Sequence, residues 1–107
     1  MVNEIDSESL HGRLTAGEDL LLVDIRTAGE IAGGALPAAL VLPMHLLPLR
    51  LDELPRDRDL VLYCRSGARS YQACAYLMQQ GFARALNLRG GIIAWARHGY
   101  AISFPGH

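Results

Sequence analysis

Short apolar runs alternate with amphipathic stretches along this chain of 107 residues. Three nearly continuous apolar runs have the length of a strand, at residues 20–25, 39–42 and 59–64. Runs of this kind are typical of strands that are covered on both faces of a parallel sheet. The segment 84–91 predicts a fourth strand, and residues 2–5 can add a fifth at the edge. The hydrophobic pattern therefore predicts about five strands.

Capping signals predict two short helices in the first third of the chain. Asp6 or Ser7 can accept a hydrogen bond from a free backbone N–H group at a helix start. Thr27 and Glu30 have the spacing of a capping box, in which each side chain accepts from the backbone of the other residue. We therefore expect a short helix after residue 6 and another after residue 27.

Two further helices are predicted in the second half. Apolar residues at helical spacing over 70–80 predict a helix that ends at Gly81, and the segment 91–99 predicts a last helix that ends at Gly99. Strands that alternate with helices predict an α/β fold with a central parallel sheet. The length favours a single domain over residues 1–107.

The composition and charge argue against several classes of protein. Half of the residues are hydrophobic, 20% are charged, and the formal net charge is −1, so no basic surface for nucleic acid is expected. No stretch approaches the roughly 18 apolar residues of a membrane span, and no signal peptide is evident at the N-terminus. The histidines at 11, 45, 98 and 107 lack metal-ligand spacing, so no metal is expected. Two cysteines are too few for a disulfide scaffold, which favours a cytoplasmic protein with reduced thiols.

The stretch YCRSGARS, residues 63–70, carries the strongest chemical signal. Cys64 is predicted at the carboxyl end of a strand, where open parallel sheets bind ligands. Small residues after it let backbone N–H groups converge, and such a group of amides attracts anions and lowers the pKa of a thiol. The alternative is that Cys64 merely ends a buried strand. The Arg-Ser-Gly-Ala-Arg-Ser sequence that follows favours a catalytic nucleophile.

The neighbours of Cys64 form a predicted substrate-binding loop, composed of Arg65, Ser66, Gly67, Ala68 and Arg69. Arg65 is expected at the pocket mouth, where its charge would attract an anionic substrate. Gly67 is expected to permit a positive φ or a close backbone approach. Arg69 could hold the substrate or brace the loop by pairing with a carboxylate, and we favour bracing.

A surrounding set of residues is predicted to support the loop, composed of Asp24, Arg26, Glu30 and Ser70. Asp24 and Glu30 are the two candidate partners of Arg69. Hydroxyl groups of Ser66 and Ser70 could donate to the sulfur, although we favour Ser70 as the cap of the following helix. Cys74 lies on the inward face of that helix and is expected in the core, without a disulfide to Cys64.

Four segments in the same order resemble the single-domain rhodanese family, whose members are similar to thiosulfate sulfurtransferases. They are VDIR with Glu30, GALPAAL at 34–40, YCRSGARS at 63–70, and LRGGIIAWARHGYAI at 88–102. The chain departs from the family pattern at Ala35, which replaces a histidine, at Ala38, which replaces a glycine, and at Ala101, which replaces a proline. We expect these departures to alter packing rather than chemistry.

The resemblance implies a three-layer sandwich with helices on both faces of the sheet, and it implies a sulfur relay. Cys64 would take the outer sulfur of a small anionic donor such as thiosulfate, release sulfite, and hold the sulfur as a persulfide. Cyanide or a thiol, including the thiol of a protein, would then accept it. No cofactor is implied, because the reacting atom is the sulfur of the cysteine itself.

Two other functions compete with sulfur transfer as interpretations of the sequence. A non-catalytic rhodanese-like binding module is disfavoured, because domains of that kind tend to lack the cysteine that this chain keeps. A phosphatase or arsenate reductase on the same fold is disfavoured by loop length. Four residues separate Cys64 from Arg69, as in the sulfur-handling members of the family, whereas the cysteine phosphatases carry one more.

Overall fold

Five parallel strands form one sheet in a computed structural model that describes residues 1–104, so that His107 lies outside the described residues. The sheet order is β1-β5-β4-β2-β3, and every pairing is parallel. The strands are β1 Asn3–Ile5, β2 Leu20–Asp24, β3 Leu40–Val41, β4 Asp59–Tyr63 and β5 Ala85–Leu88. The predicted five-stranded parallel sheet is confirmed, although β3 is only two residues long.

Within residues 1–104, three α-helices and two 3₁₀ segments connect the strands, and a fourth α-helix follows β5. The helices are α1 Ser7–Thr15, α2 Ala28–Ile31, α3 Ala68–Gln79 and α4 Gly91–Arg97, and the 3₁₀ segments are Met44–Leu49 and Leu51–Glu53. Both capping predictions are confirmed. Asp6 accepts from the Ser9 amide at 2.8 Å, and Thr27 and Glu30 form a reciprocal capping box.

Side chains on opposite faces of the sheet form two separate apolar clusters. The first contains Leu60, Leu62 and residues of α3, and the second contains Val61, Tyr63 and residues of α1 and α4. This division follows from the alternation of side chains along a strand, which sends neighbours on β4 to opposite faces. The three-layer arrangement that the resemblance implied is therefore present.

The sheet arrangement also determines which distant residues meet near the end of β4. Strand β4 lies between β5 and β2. The register of the edge strand β1 on β5 pairs Glu4 with Asn87. Within residues 1–104, none of the helices combines the length and hydrophobicity needed to cross a bilayer.

Candidate active site

Cys64 directly follows β4, and the chain turns there into α3. The turn depends on Gly67, which is the N-cap of α3 and has φ 102°. A Cβ atom at Gly67 would come within 3.3 Å of the Leu88 carbonyl oxygen and of the Gly90 amide nitrogen. The predicted positive φ and close backbone approach are both present at Gly67, and both disfavour a larger residue.

Hydrogen-bond donors from the loop and from α3 surround the Cys64 sulfur. The Gly67 amide donates to Sγ at 3.1 Å, and the Ser70 hydroxyl lies 3.4 Å from the same atom. Burial of the residue, which is only 1% exposed, works to raise the pKa of the thiol. Hydrogen bonds from the Ser70 side chain and from the amides of Ser70, Gly67 and Ser66 outweigh burial, so the pKa of Cys64 is lowered.

Ser70 does not cap the helix, and that prediction was wrong. The helix begins at Ala68, so Ser70 already lies within its first turn, and no side chain caps the N-terminus. At this position the Ser70 side chain is fully buried and points inward, towards Cys64. The alternative role of Ser70, a hydroxyl near the sulfur, is the one that the structure supports.

Arg69 braces the loop through Glu30. Its two terminal nitrogens donate to the two carboxylate oxygens of Glu30 at 2.8 and 2.7 Å, which links α3 to α2. The hydrogen bond from Arg69 is the main reason that the pKa of Glu30 falls to about 2. The favoured interpretation of Arg69 agrees with this geometry, and of the two predicted carboxylates Glu30 is the partner.

Asp24 instead pairs with Arg26 under the site. The Arg26 Nη2 atom donates to Asp24 Oδ2 at 2.8 Å and to the Gly34 carbonyl oxygen at 2.7 Å. Both side chains are buried, at 0% and 5% exposure. A buried pair of this kind neutralises the carboxylate and fixes the turn at Gly34. These two residues support the site without contacting the Cys64 sulfur.

The outer part of the loop is accessible and positively charged. Arg65, Ser66 and Ala68 are exposed, and the Arg65 side chain makes no ion pair with any of residues 1–104. Arg65 borders a groove of about 410 Å³ that Cys64 itself does not line, so its predicted place at the mouth of the Cys64 pocket stays a prediction. The other lining residues are Arg26, Glu30, Gly33, Gly34, Ile92, Ile93, Ala96, Ile102 and Phe104.

The first turn of α4, which lines this groove, is hydrogen-bonded to the loop. The Ile92 and Ile93 amides donate to the carbonyl oxygens of Cys64 and Arg65 at 3.0 and 3.2 Å. Gly91 makes that approach feasible, since a Cβ atom there would collide with both carbonyl groups. The groove therefore lies beside the backbone of Cys64, and both apolar side chains and the Arg65 guanidinium border it.

Asn87 is a buried residue of the site that the sequence analysis missed. It is 1% exposed, accepts from the Ser70 hydroxyl at 2.5 Å, and donates to the Gly67 carbonyl oxygen at 3.1 Å. A lone asparagine in a strand has no distinctive spacing, so only the register of the sheet brings it to Cys64. In the sequence, the only indication of its role is its position in the LNLRGG stretch, directly before the segment 88–102 that resembles the family.

Cys74 is a core residue, as predicted. It is fully buried in the cluster between the sheet and α3, and both cysteines are free thiols. Burial raises the pKa of Cys74 to about 12. The pKa of Cys64 is therefore lowered and the pKa of Cys74 is raised. Of the two cysteines, Cys64 is the one whose environment stabilises a thiolate.

Comparison with known proteins adds independent information. The profile of the rhodanese-like domain family matches residues 6–98. A sulfurtransferase of Allochromatium vinosum is 73% identical over 105 residues, which cover 98% of both proteins. YtwF of Bacillus subtilis is 38% identical over 94 residues, which cover 88% of this chain and 90% of that protein.

The same similarity is seen in three dimensions. The crystal structure of a rhodanese-like domain protein from Staphylococcus aureus matches with a TM-score of 0.82 and 30% identity. The match covers 88% of this chain and 91% of that chain. Fold and sequence therefore point to the same group of proteins.

Proposed function

The chain belongs to the rhodanese-like domain family, and from that premise we propose that it is a sulfurtransferase whose nucleophile is Cys64. The observation that supports this role most directly is the set of donors at its sulfur. The Gly67 amide lies 3.1 Å from Sγ, and the hydrogen bonds around the sulfur lower its pKa despite burial. A stabilised thiolate is the form that attacks sulfur.

In the proposed reaction the Cys64 thiolate attacks the outer sulfur of thiosulfate. A new S–S bond forms at Sγ, the S–S bond of the donor breaks, and sulfite leaves with its electron pair. The product is a persulfide whose negative charge lies on the outer sulfur. Amides of the 65–69 loop are preorganised donors for that charge, so no general base is required. Cyanide or a thiol then takes the outer sulfur and restores the Cys64 thiolate.

The exposed part of the site indicates how the anionic donor would approach Cys64, a residue that is only 1% exposed. Arg65 is exposed and borders the groove, so its charge would draw an anion to the loop. The apolar walls of Ile92, Ile93 and Phe104 offer a surface for a bulkier acceptor, including a protein that presents a thiol. Two free thiols also support a reducing compartment such as the cytoplasm.

The phosphatase alternative is less well supported by the same loop. Arg69, which would have to bind phosphate oxygens, has both terminal nitrogens engaged by Glu30. The four residues between Cys64 and Arg69 also make the loop one residue shorter than in cysteine phosphatases. Both observations favour a site for a single sulfur atom over a site for a phosphate.

Intact-mass spectrometry after incubation with thiosulfate tests the proposal. The wild-type protein should gain one sulfur atom, and cyanide should remove it. Cys64→Ser should show no adduct, whereas the control Cys74→Ala keeps the adduct because Cys74 is a core thiol. Absence of an adduct together with hydrolysis of aryl phosphates would favour the phosphatase. Absence of both would leave a binding module.

A further inference from the structure

The Asn87 side chain joins three elements around Cys64. Its Nδ2 atom donates to Glu4 Oε2 on β1 at 2.9 Å and to the Gly67 carbonyl oxygen in the loop at 3.1 Å. Its Oδ1 atom accepts from the Ser70 hydroxyl on α3 at 2.5 Å. Every polar atom of this buried amide is therefore engaged.

These partners fix the orientation of the amide. A carboxylate and a carbonyl oxygen can only accept hydrogen bonds, so the Asn87 nitrogen must face Glu4 and Gly67. The amide oxygen, which can also only accept, is thereby directed at Ser70. The hydroxyl hydrogen of Ser70 must point to Asn87 to satisfy this contact.

Ser70 has one hydroxyl hydrogen and two neighbouring acceptors. Its Oγ atom lies 2.5 Å from Asn87 Oδ1 and 3.4 Å from Cys64 Sγ. When Cys64 is a neutral thiol, its S–H group can donate to Ser70 while Ser70 donates to Asn87. When Cys64 is a thiolate, the sulfur and the amide oxygen compete for the same hydrogen.

We propose that Asn87 is a positioning residue that holds the Ser70 hydroxyl hydrogen and yields it to Cys64 only while the inner sulfur carries negative charge. Asn87 thereby limits the acidity of the thiol. The part that Asn87 takes in turnover, in contrast, rests on the proposed sulfur transfer. Once a persulfide forms, the charge lies on the outer sulfur, and the hydrogen returns to Asn87. A thiol that is not excessively acidic also remains a better nucleophile.

The charged groups near Cys64 stay the same in the variants that test this idea. Arg65 follows it in the loop, Arg69 contributes from α3, and Glu4 is connected through Asn87. Asp24 and Arg26 at the end of β2 neutralise each other. Residues 91–96 of α4, which pack on the Cys64 carbonyl group, carry no charge.

The first test is Asn87→Leu, which removes the competing acceptor and keeps the branched shape of the side chain. The Ser70 hydroxyl can then donate to the thiolate permanently, so the pKa of Cys64 should fall by about 0.5–1 unit, or three- to tenfold more thiolate at a fixed pH. A purely structural role predicts the opposite sign, because a loosened loop would lose amide donors and the pKa would rise. The ultraviolet absorbance of the thiolate, with the spectrum of Cys64→Ser subtracted, measures the pKa. Cys74, with a pKa of about 12, stays protonated.

The second test repeats the substitution in a Ser70→Ala background. If Asn87 acts through Ser70, Asn87→Leu should leave the pKa of Cys64 unchanged there. Ser70→Ala alone should raise that pKa by less than about 0.5 unit, whereas loss of a permanent donor would raise it by more than about one unit. This single variant decides the question if Asn87→Leu does not fold.

A rise or no change in pKa for Asn87→Leu, or an equal fall in the Ser70→Ala background, would overturn the proposal. The titrations use no substrate. Failure to form a persulfide would therefore contradict sulfur transfer while leaving the assignment of Asn87 to be judged on the pKa values alone.

Discussion

Ala38 is a residue whose backbone conformation conflicts with its side chain. Its φ of 62° is the only positive value at a non-glycine position in residues 1–104. The family to which the chain belongs often has glycine here, and the conformation explains why. The sequence led us to expect altered packing at Ala38, whereas the structure shows a left-handed backbone that can be recognised only from φ.

Ala38→Gly should therefore stabilise the protein. Relief of a left-handed alanine contributes about 1–2 kcal/mol, and the added freedom of the unfolded chain offsets about 0.4–1 kcal/mol. The free energy of unfolding, measured with denaturant, should rise by about 0.5–1 kcal/mol. The control Ala39→Gly, at a neighbour without positive φ, should lower it. Equal losses in both variants would refute the strain at Ala38.

The site residues differ in how well the sequence predicted them. Cys64, Gly67 and the Thr27–Glu30 box depend on local order along the chain, so pattern alone placed them. Ser70 was misassigned because the start of α3, two residues earlier than expected, decides which way its side chain points. Asn87 was missed because its contacts with Glu4 and Ser70 join positions 83 and 17 residues apart.

At the scale of elements, one ion pair connects α2 to the loop end of α3. Glu30 caps its own helix and also binds Arg69. Its folded-state pKa of about 2 lies below the ordinary value of 4.5. The pair therefore stabilises the fold above pH 4.5, and this contribution is lost as the pH falls from 4.5 towards 2.

Glu30→Gln should have a small effect on the free energy of unfolding and a clear effect on the rate of sulfur loading. Because the Arg69 and Glu30 side chains are 40% and 28% exposed, the loss of unfolding free energy at neutral pH should be below about 1 kcal/mol and should vanish near pH 2. The rate of sulfur loading should fall about three- to tenfold, since a misplaced loop raises the barrier. Glu53→Gln, which breaks the exposed Arg50–Glu53 pair, is the control and should leave that rate unchanged. A similar loss of rate in both variants would argue against the brace.

The contact between α4 and the loop allows a second test with a matched pair. Gly91 has φ 57° and no room for a Cβ atom beside the Cys64 carbonyl oxygen, whereas Gly99 has φ 78° and nothing within 4 Å. Gly91→Ala should cost about 3 kcal/mol from strain plus overpacking, and Gly99→Ala about 1 kcal/mol from strain alone. Denaturant unfolding of the two variants measures the difference. Equal costs would show that α4 can shift away from the loop.

At the scale of the whole molecule, the sheet order brings the site together from distant segments. Alternation of strands and helices was visible in the hydrophobic pattern, and so was the placement of Cys64 after a strand. The order β1-β5-β4-β2-β3 was not, because strands that are buried on both faces look alike in sequence. The pairing of Ala35 with Ser103, next to the groove residues Gly34, Ile102 and Phe104, cannot be predicted from local pattern either.

The alkylation rate of Cys74 can show whether the whole domain unfolds in one cooperative step. Its thiol is fully buried and its pKa is about 12, so alkylation requires that the sheet and α3 separate. In Cys64→Ser, the rate of Cys74 alkylation should rise with denaturant with the same dependence as global unfolding. A fast rate that does not depend on denaturant would instead show that α3 opens locally.

The donors that the loop directs at the Cys64 sulfur belong largely to the main chain, at Gly67 and Ser66. The side chains at 65, 66 and 68, in contrast, are exposed. The main chain of the loop must therefore be kept, whereas the exposed side chains of Ser66 and Ala68 can be varied. A combinatorial library at positions 66 and 68 would change the surface that the loop presents to partners and leave both the Arg65 charge and the Cys64 sulfur unaltered, which makes the loop a natural starting point for directed evolution.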